Sequence, residues 1–523
     1  MEEELSTIAK GAGFYFAGFA VSKVLAYIYR AMLARGLGPV DFGILSIGLG
    51  VMGFALVFAA LGLYEGILHF VAVYESTGKK EMVKGAISLG LKAQFLSSLV
   101  FAAAIFMLSD WLALTFFREQ SLGIVLKLLS LTIPFSVVTT SLLIVGQAFR
   151  RIEYKVYVRN VIENLGKIGF TAFLFFLGFG LFGATIGLVL SSVLAFFASL
   201  YFIQRKVFPV LGSEGKASCN WHELFSYSWP LFAIGFFDVI MYSIDTVMLG
   251  SLSRAYDAGL YNVAQPTANL LTVAPIAFGS LFLPVITGFY AQGRVEEFKR
   301  TFKVVARWIF AFMFPCLLFT MLFSEEILSV MFGSVYAEAS SALIVLAAGM
   351  FMVSFVGEVR SILESIGRTR LIFWNTIIAG IVNVALNWML IPLFGATGNA
   401  IVGAALATSF SYFLWNLLGL AEVFWLKRMH PYSKAYLQPT VAASISIALF
   451  WLGKKYLPQI MAMPTILGFV LLVALSFFFL ALYAVLFIVL KGIQKEDLEV
   501  LKAVERKLGV KSGLARAILK RFG

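Results

Sequence analysis

The chain has 523 residues, 60% of them hydrophobic and 13% charged, with a net charge of +13 and a mean hydropathy of +0.92. A soluble domain carries about 25% charged residues, so the composition excludes a soluble enzyme, a nucleic-acid-binding protein and a disordered scaffold. The apolar runs are far longer than the roughly ten-residue alternating strands of a membrane barrel, and helices satisfy their own backbone in lipid; the fold class expected is an all-α polytopic membrane protein.

A bilayer-spanning helix takes about 20 residues. In chain order the apolar runs predict fourteen spans, over residues 12–34, 43–70, 85–108, 122–149, 161–178, 183–204, 226–250, 258–289, 303–324, 338–364, 371–392, 396–425, 437–453 and 465–490. The start, Met1-Glu2-Glu3-Glu4, lacks the basic region of a secretory signal, so the first run is expected to stay as a helix. Charge checks the count, because short cytoplasmic loops are rich in Lys and Arg. With the N-terminus inside, the six internal loops carry nineteen basic residues, from Lys79 to Lys434, and the seven external loops carry five: Arg35, Arg118, Arg254, Lys454 and Lys455. Both termini are therefore expected in the cytoplasm, with the protein in the cell (cytoplasmic) membrane. Pro134 in the fourth span and Pro266, Pro275 and Pro284 in the eighth predict kinks.

The chain reads as duplicated. Leu181-Phe182-Gly183-Ala184-Thr185 recurs as Leu393-Phe394-Gly395-Ala396-Thr397, each expected in a tight external turn, and Asp41-Phe42-Gly43 is echoed by Asp257-Ala258-Gly259. Six spans per copy give both copies one orientation and a pseudo-two-fold axis along the membrane normal. The organisation expected is an N-terminal lobe over 1–210, a C-terminal lobe over 211–430, two further spans within 431–490 and a basic cytoplasmic tail over 491–523. In the tail, apolar and basic residues alternate, as in an amphipathic helix at an anionic leaflet.

A charge at a helix centre costs about 2.5 to 3.5 kcal/mol on the insertion scale, so the intramembrane charges need reasons. Lys127, Lys167 and Arg307 lie near span ends and are expected to snorkel; Lys167 also has Glu163 four residues before it, and Arg360 has Glu364 four after. Lys23, Tyr27 and Arg30 share one face of the first span, and Asp238, Tyr242 and Asp245 repeat that spacing in the seventh. The basic stripe, with Lys92 of the third span, is the candidate substrate contact. The acidic stripe, with Glu65 of the second span, is the candidate gate or ion-coupling group; a static ion pair between the two stripes is the alternative. Glu65 and His69 have a relay-like spacing, but one Glu and one His are too few for a metal site, and neither a metal nor another cofactor is expected. The two cysteines, Cys219 and Cys316, make no disulfide or ligand pattern. Asn375, Asn383 and Asn387 of the eleventh span read as helix glue.

The block Leu386-Asn387-Trp388-Met389-Leu390-Ile391-Pro392-Leu393-Phe394-Gly395-Ala396-Thr397-Gly398-Asn399-Ala400, with Asp245-Thr246-Val247-Met248-Leu249-Gly250 and Ala258-Gly259-Leu260-Tyr261, resembles the polysaccharide-transport, or O-antigen flippase, branch of the multidrug/oligosaccharidyl-lipid/polysaccharide exporter superfamily. The similarity covers about residues 5–490. It implies no catalysis, but a flippase that moves polyprenyl-(pyro)phosphate-linked oligosaccharide from the cytoplasmic to the outer leaflet by alternating access. It further implies that Lys23 and Arg30 face a cationic lumen and meet the pyrophosphate. The partners implied are the lipid-linked oligosaccharide, membrane lipids, sodium or protons, and polysaccharide-assembly proteins, with no nucleic acid. A sodium- or proton-coupled multidrug or metabolite antiporter of the same superfamily is the alternative.

Overall fold

The structure, a computed structural model, describes residues 2–210, 219–454, 465–494 and 497. Among these, all regular structure is helical. The helices are α1 (Glu2–Ala60), α2 (Leu63–Ser76), α3 (Lys80–Trp111), α4 (Gln120–Ser130), α5 (Thr132–Ala148), α6 (Glu153–Lys155), α7 (Glu163–Phe176), α8 (Gly180–Lys206), α9 (Trp221–Leu252) and α10 (Ala255–Asn269). After these come α11 (Val273–Ala291), α12 (Val295–Leu322), α13 (Ser324–Phe332), α14 (Ser340–Val356), α15 (Val359–Ser365), α16 (Thr369–Gly395), α17 (Ala400–Lys427), α18 (Leu437–Lys454) and α19 (Thr465–Val489). Eleven described helical segments are long and apolar enough to cross a membrane, and the protein is a multi-pass helical membrane protein. The amphipathic tail expected beyond Lys491 lies, apart from residues 491–494 and 497, outside the described residues.

Where helices break, the cause is local. The first two expected spans run as one helix, α1, with a single non-helical residue, Gly38 (φ 72°, ψ 174°), before Pro39. Glycine adopts that positive φ without a Cβ clash, and proline tolerates the first turn of the helix that follows. The second expected span instead breaks between Ala60 and Leu63, at the left-handed pair Leu61 and Gly62. The eighth divides into α10, a 3-10 turn at Leu270–Thr272, and α11. Pro275 has no N–H for the carbonyl of Leu271, which is the interruption its position predicts. The fifth passes from α6 through a π-helical stretch, Val156–Ile162, into α7.

Packing divides the chain into two compact units, Met1–Asn262 and Val263–Gly523. The first has its core where α2 and α3 meet α5, α8 and α9: Leu63, Ile67, Val71, Val83, Ile87, Val145, Ile203 and Leu224. In the second, Phe319, Phe323, Val330, Phe450, Leu472 and Phe479 join α12 and α13 to α18 and α19. Tyr483 Oη donates to the carbonyl of Ala311 at 2.6 Å, a further tie of α19 to α12.

The two repeat motifs fare differently. Leu181–Thr185 lies inside the start of α8, after its turn, whereas Leu393–Gly395 ends α16, before its turn. The first copy is therefore helical, which corrects the expectation that it sits in the turn, whereas the second runs from the helix end into its turn, where Ala396 and Thr397 lie. The Asp-x-Gly pair is different: a Cβ at Gly43 would collide with the carbonyl of Ala255 and lie 2.9 Å from the Gly259 nitrogen, and a Cβ at Gly259 would collide with the carbonyl of Pro39 and lie 3.2 Å from the Gly43 nitrogen. The contact between α1 and α10 is reciprocal at the two glycines that the sequence motif pairs. In lipid, where helices associate by close packing, small residues permit such an approach. Gly43→Val and Gly259→Val are each expected to cost at least about 1–3 kcal/mol through overpacking, read as a lowered Tm of the purified protein in nanodiscs. A wild-type Tm in either variant would refute the close crossing.

Candidate functional site

The basic stripe of α1 is graded in burial: Lys23 is exposed, while Tyr27 and Arg30 are half-buried. Arg30 Nη1 donates to the backbone carbonyl of Asn262 at 2.6 Å. The reason lies four residues on, because Pro266 sits inside α10 and has no N–H to offer that carbonyl. Arg30 fills the vacancy with one of the five donors of its guanidinium.

Asn262 extends the cluster. Its Nδ2 donates to Thr246 Oγ1 at 2.8 Å and to the Ala258 carbonyl at 2.9 Å, and its neighbour Tyr261 donates from Oη to Asp245 Oδ2 at 2.9 Å. The inner members of the two stripes, Arg30 and Asp245, are thereby joined to adjacent residues of α10. Asp245 is fully buried at 0% exposure. Asp238 is half-buried, and Tyr242 stands 61% exposed, so the acidic stripe spans a buried and an open environment along α9. Lys92 is exposed on α3, away from these bonds. Sequence reasoning missed Tyr261 and Asn262 as parts of this cluster; the signal available was Pro266, which announces an unserved carbonyl at Asn262.

Glu65 is exposed on α2, one turn before His69, whose imidazole stacks on the Tyr227 ring at 4.5 Å and 15°. The two helices approach closely at this level, since a Cβ on Gly66 would collide with Ser228 Oγ. Lys155, between α5 and the π stretch, lies near Glu65 and bonds Gln147 Oε1 at 3.2 Å. Burial pushes the Lys155 ammonium below its ordinary pKa, and Glu65 pulls the other way.

The other intramembrane charges are paired. Glu163, its side chain 7% exposed, accepts from Arg159 at 2.6 Å and from Lys167 at 2.8 Å, and Arg159 also reaches Thr140 Oγ1 at 2.7 Å. The i−4 pairing expected for Lys167 is present, as is Arg360 with Glu364 at 3.1 Å. Arg159 was expected in a loop; the π stretch carries it against Glu163. Lys127, expected to snorkel, keeps a third of its side chain exposed and pairs with Asp110 at 2.6 Å. The snorkelling expected of Arg307 is corrected: it is 3% exposed and buried against the Asp497 carboxylate, which Trp308 Nε1 also reaches at 2.8 Å. In the eleventh expected span Asn375 donates to Glu422 at 2.8 Å, joining α16 to α17. No group of three or more His, Cys, Asp or Glu side chains suited to a metal occurs among the described residues.

Comparison with known proteins follows the same lines. The chain is 21% identical over 406 residues to a Shigella flexneri protein named "Putative O-antigen transporter", covering 76% of this chain and 94% of that one. Among solved structures it resembles the lipid II flippase MurJ in an inward closed conformation, with a TM-score of 0.67 and 17% identity over 92% of this chain and 99% of that one. It also resembles an inward-facing multidrug resistance MATE transporter of the MOP superfamily, with a TM-score of 0.64 and 16% identity over 78% of this chain and 94% of that one. These likenesses establish the fold. The MatE family matches residues 230–389. Residues 8–289, more than half of the chain, match the family described as polysaccharide biosynthesis protein, and the chain belongs to that family.

Proposed function

We propose that the protein is a flippase, not an enzyme, carrying polyprenyl-(pyro)phosphate-linked oligosaccharide from the cytoplasmic to the outer leaflet by alternating access. The observation that carries the reading is the α1 stripe, in which an exposed Lys23 continues into an Arg30 anchored at the proline break of α10. An exposed cation beside one held by backbone geometry suits a polyanionic head group, which charge-assisted hydrogen bonds recognise. The names of the Shigella flexneri relative and of the MurJ flippase support the same cargo class. In this reading Lys23, Tyr27, Arg30 and Lys92 contact substrate, and Asp238, Tyr242, Asp245 and Glu65 gate or couple.

The chain crosses the cytoplasmic membrane fourteen times in this reading, with both termini in the cytoplasm. Three crossings join the eleven long segments: one from dividing α1 at Gly38, one from the α6–α7 stretch and one from α10–α11. The lobes are 1–210 and 211–430, and the reciprocal contact of Gly43 with Gly259 supports their two-fold relation. Sodium or protons drive the exchange, and polysaccharide-assembly proteins supply and receive the cargo.

A sodium- or proton-coupled antiporter is the second reading, favoured by the MatE match and by the buried Asp245. Proteoliposomes decide between the two. Wild-type protein is expected to translocate polyprenyl-pyrophosphate oligosaccharide, and Lys23→Ala is expected to slow it about tenfold, the worth of one charge-assisted contact. Wild-type vesicles that move no oligosaccharide but exchange a cationic dye for sodium or protons would transfer the assignment to the antiporter.

A further inference from the structure

Between α2 and α9, within the first packing unit, lies an open cavity of about 380 Å³ whose lining includes Glu65, Leu68, His69, Val73, Ser76 and Tyr227. Of these side chains only Glu65 has a role in the reading above; the hydrogen-bonded cluster around Arg30 and Asp245 uses none of them. The cavity is at the small end of the roughly 300–1,000 Å³ typical of small-molecule sites, so it has room for one or two rings rather than a whole oligosaccharide. Its walls are set by backbone packing. Gly62, just before α2, and Gly66 within it press against Ser228 and Phe232 of α9, and just beyond that crossing the His69 imidazole stacks on the Tyr227 phenol. Phe70 meets the same phenol edge-on at 5.6 Å, so the aromatic plate is braced from a second side.

The polar groups around this plate are hydrogen-bonding groups of mixed character. Glu65 offers two acceptor oxygens, and a neutral imidazole offers one donor and one acceptor. Tyr227 carries a hydroxyl, while Ser76 Oγ donates to the Val73 carbonyl at 2.9 Å and keeps its own acceptor capacity. A metal is disfavoured, since the cavity has two ligating side chains. A ligand with an apolar face and a rim of neutral hydroxyls fits both the plate and the carboxylate.

Resting on the flippase reading, we propose that Glu65, His69 and Tyr227 form a sugar subsite that takes one ring of the cargo's glycan, separate from the basic stripe that meets its phosphates. The ring's C–H face lies on the aromatic plate, and vicinal hydroxyls donate to the Glu65 carboxylate. On the proposed topology this cavity is at the cytoplasmic end of its helices, the side on which cargo loads, so the protein inspects the glycan before translocation.

The test uses full-length protein in nanodiscs and a panel of free methyl glycosides, among them those of N-acetylglucosamine, rhamnose and galactose, read by saturation-transfer NMR. At least one glycoside is expected to receive saturation from wild type. Tyr227→Ala and Glu65→Gln are each expected to cut that signal at least about fivefold, equivalent to about 1 kcal/mol of binding, whereas Lys23→Ala leaves it unchanged. Tyr227→Phe keeps the stack and controls for folding; it is expected to retain most of the signal. No transfer from any glycoside, or transfer indifferent to both substitutions, overturns the subsite. So does binding of tetraphenylphosphonium that is lost in Glu65→Gln while the glycosides give no signal. Oligosaccharide flipping by wild type without glycoside transfer would sink the subsite alone, and glycoside transfer without flipping would sink the transport reading alone.

Discussion

Arg30→Ala is expected to lose oligosaccharide translocation by about 10- to 100-fold, the worth of one or two charge-assisted hydrogen bonds, and to be less stable by about 1–3 kcal/mol, the cost of a stranded buried carbonyl. The two losses have different origins and are separable. Stability falls because the Asn262 carbonyl, denied a helical partner by Pro266, loses the 2.6 Å bond that replaces it. Transport falls because the phosphates lose a cation. Adding Pro266→Ala returns an N–H to α10 in register with that carbonyl, so Arg30→Ala with Pro266→Ala is expected to recover the Tm while remaining inactive in proteoliposomes. Recovery of both would make Arg30 a brace and nothing more. A deficit in Tm that persists would mean that the carbonyl is not what Arg30 serves.

Glu163→Ala is the substitution expected to destabilise the first packing unit most. It would leave Arg159 and Lys167 facing each other with no anion between them, where both now bond one carboxylate at 2.6 and 2.8 Å. Removing one partner of a buried pair costs about 3–5 kcal/mol. The low end applies here, because Arg159 and Lys167 keep 33% and 26% of their side-chain surface exposed, and solvent screens exposed charge. Thermal denaturation in nanodiscs measures the loss. Lys167→Met in the Glu163→Ala background removes one stranded charge and is expected to restore part of the Tm. Glu163→Ala protein as stable as wild type would show that the triad contributes nothing to the fold.

What the sequence revealed depended on whether the interaction was local. The helical membrane class follows from composition, and the Lys167–Glu163 and Arg360–Glu364 pairs follow from four-residue spacing on one helix face. The helix breaks at Gly38 and in the eighth expected span sit at prolines and at a glycine with positive φ. Tertiary partners were not legible in the same way. No periodicity announces that Arg307 lies buried against Asp497, 190 residues away, or that Asp245 receives the Tyr261 hydroxyl. Arg159 was placed in a loop because basic residues from Arg150 onward interrupt the apolar run, and a break in hydropathy does not tell a loop from a helical stretch such as Val156–Ile162. The Leu-Phe-Gly-Ala-Thr repeat found two hairpins but not its register against each turn, because the same five residues are helical after one turn and run into the other.

The crossing of Gly43 with Gly259 has a mechanical meaning. Each glycine has the other helix's backbone where its own side chain would begin, so on the proposed two-fold relation exchanging the two copies maps the contact onto itself. On that relation, a contact that is its own image keeps its place when the copies trade conformations. If the lobes alternate as proposed, this crossing is the fulcrum of the cycle: the point that stays still while access to the two leaflets is exchanged around it.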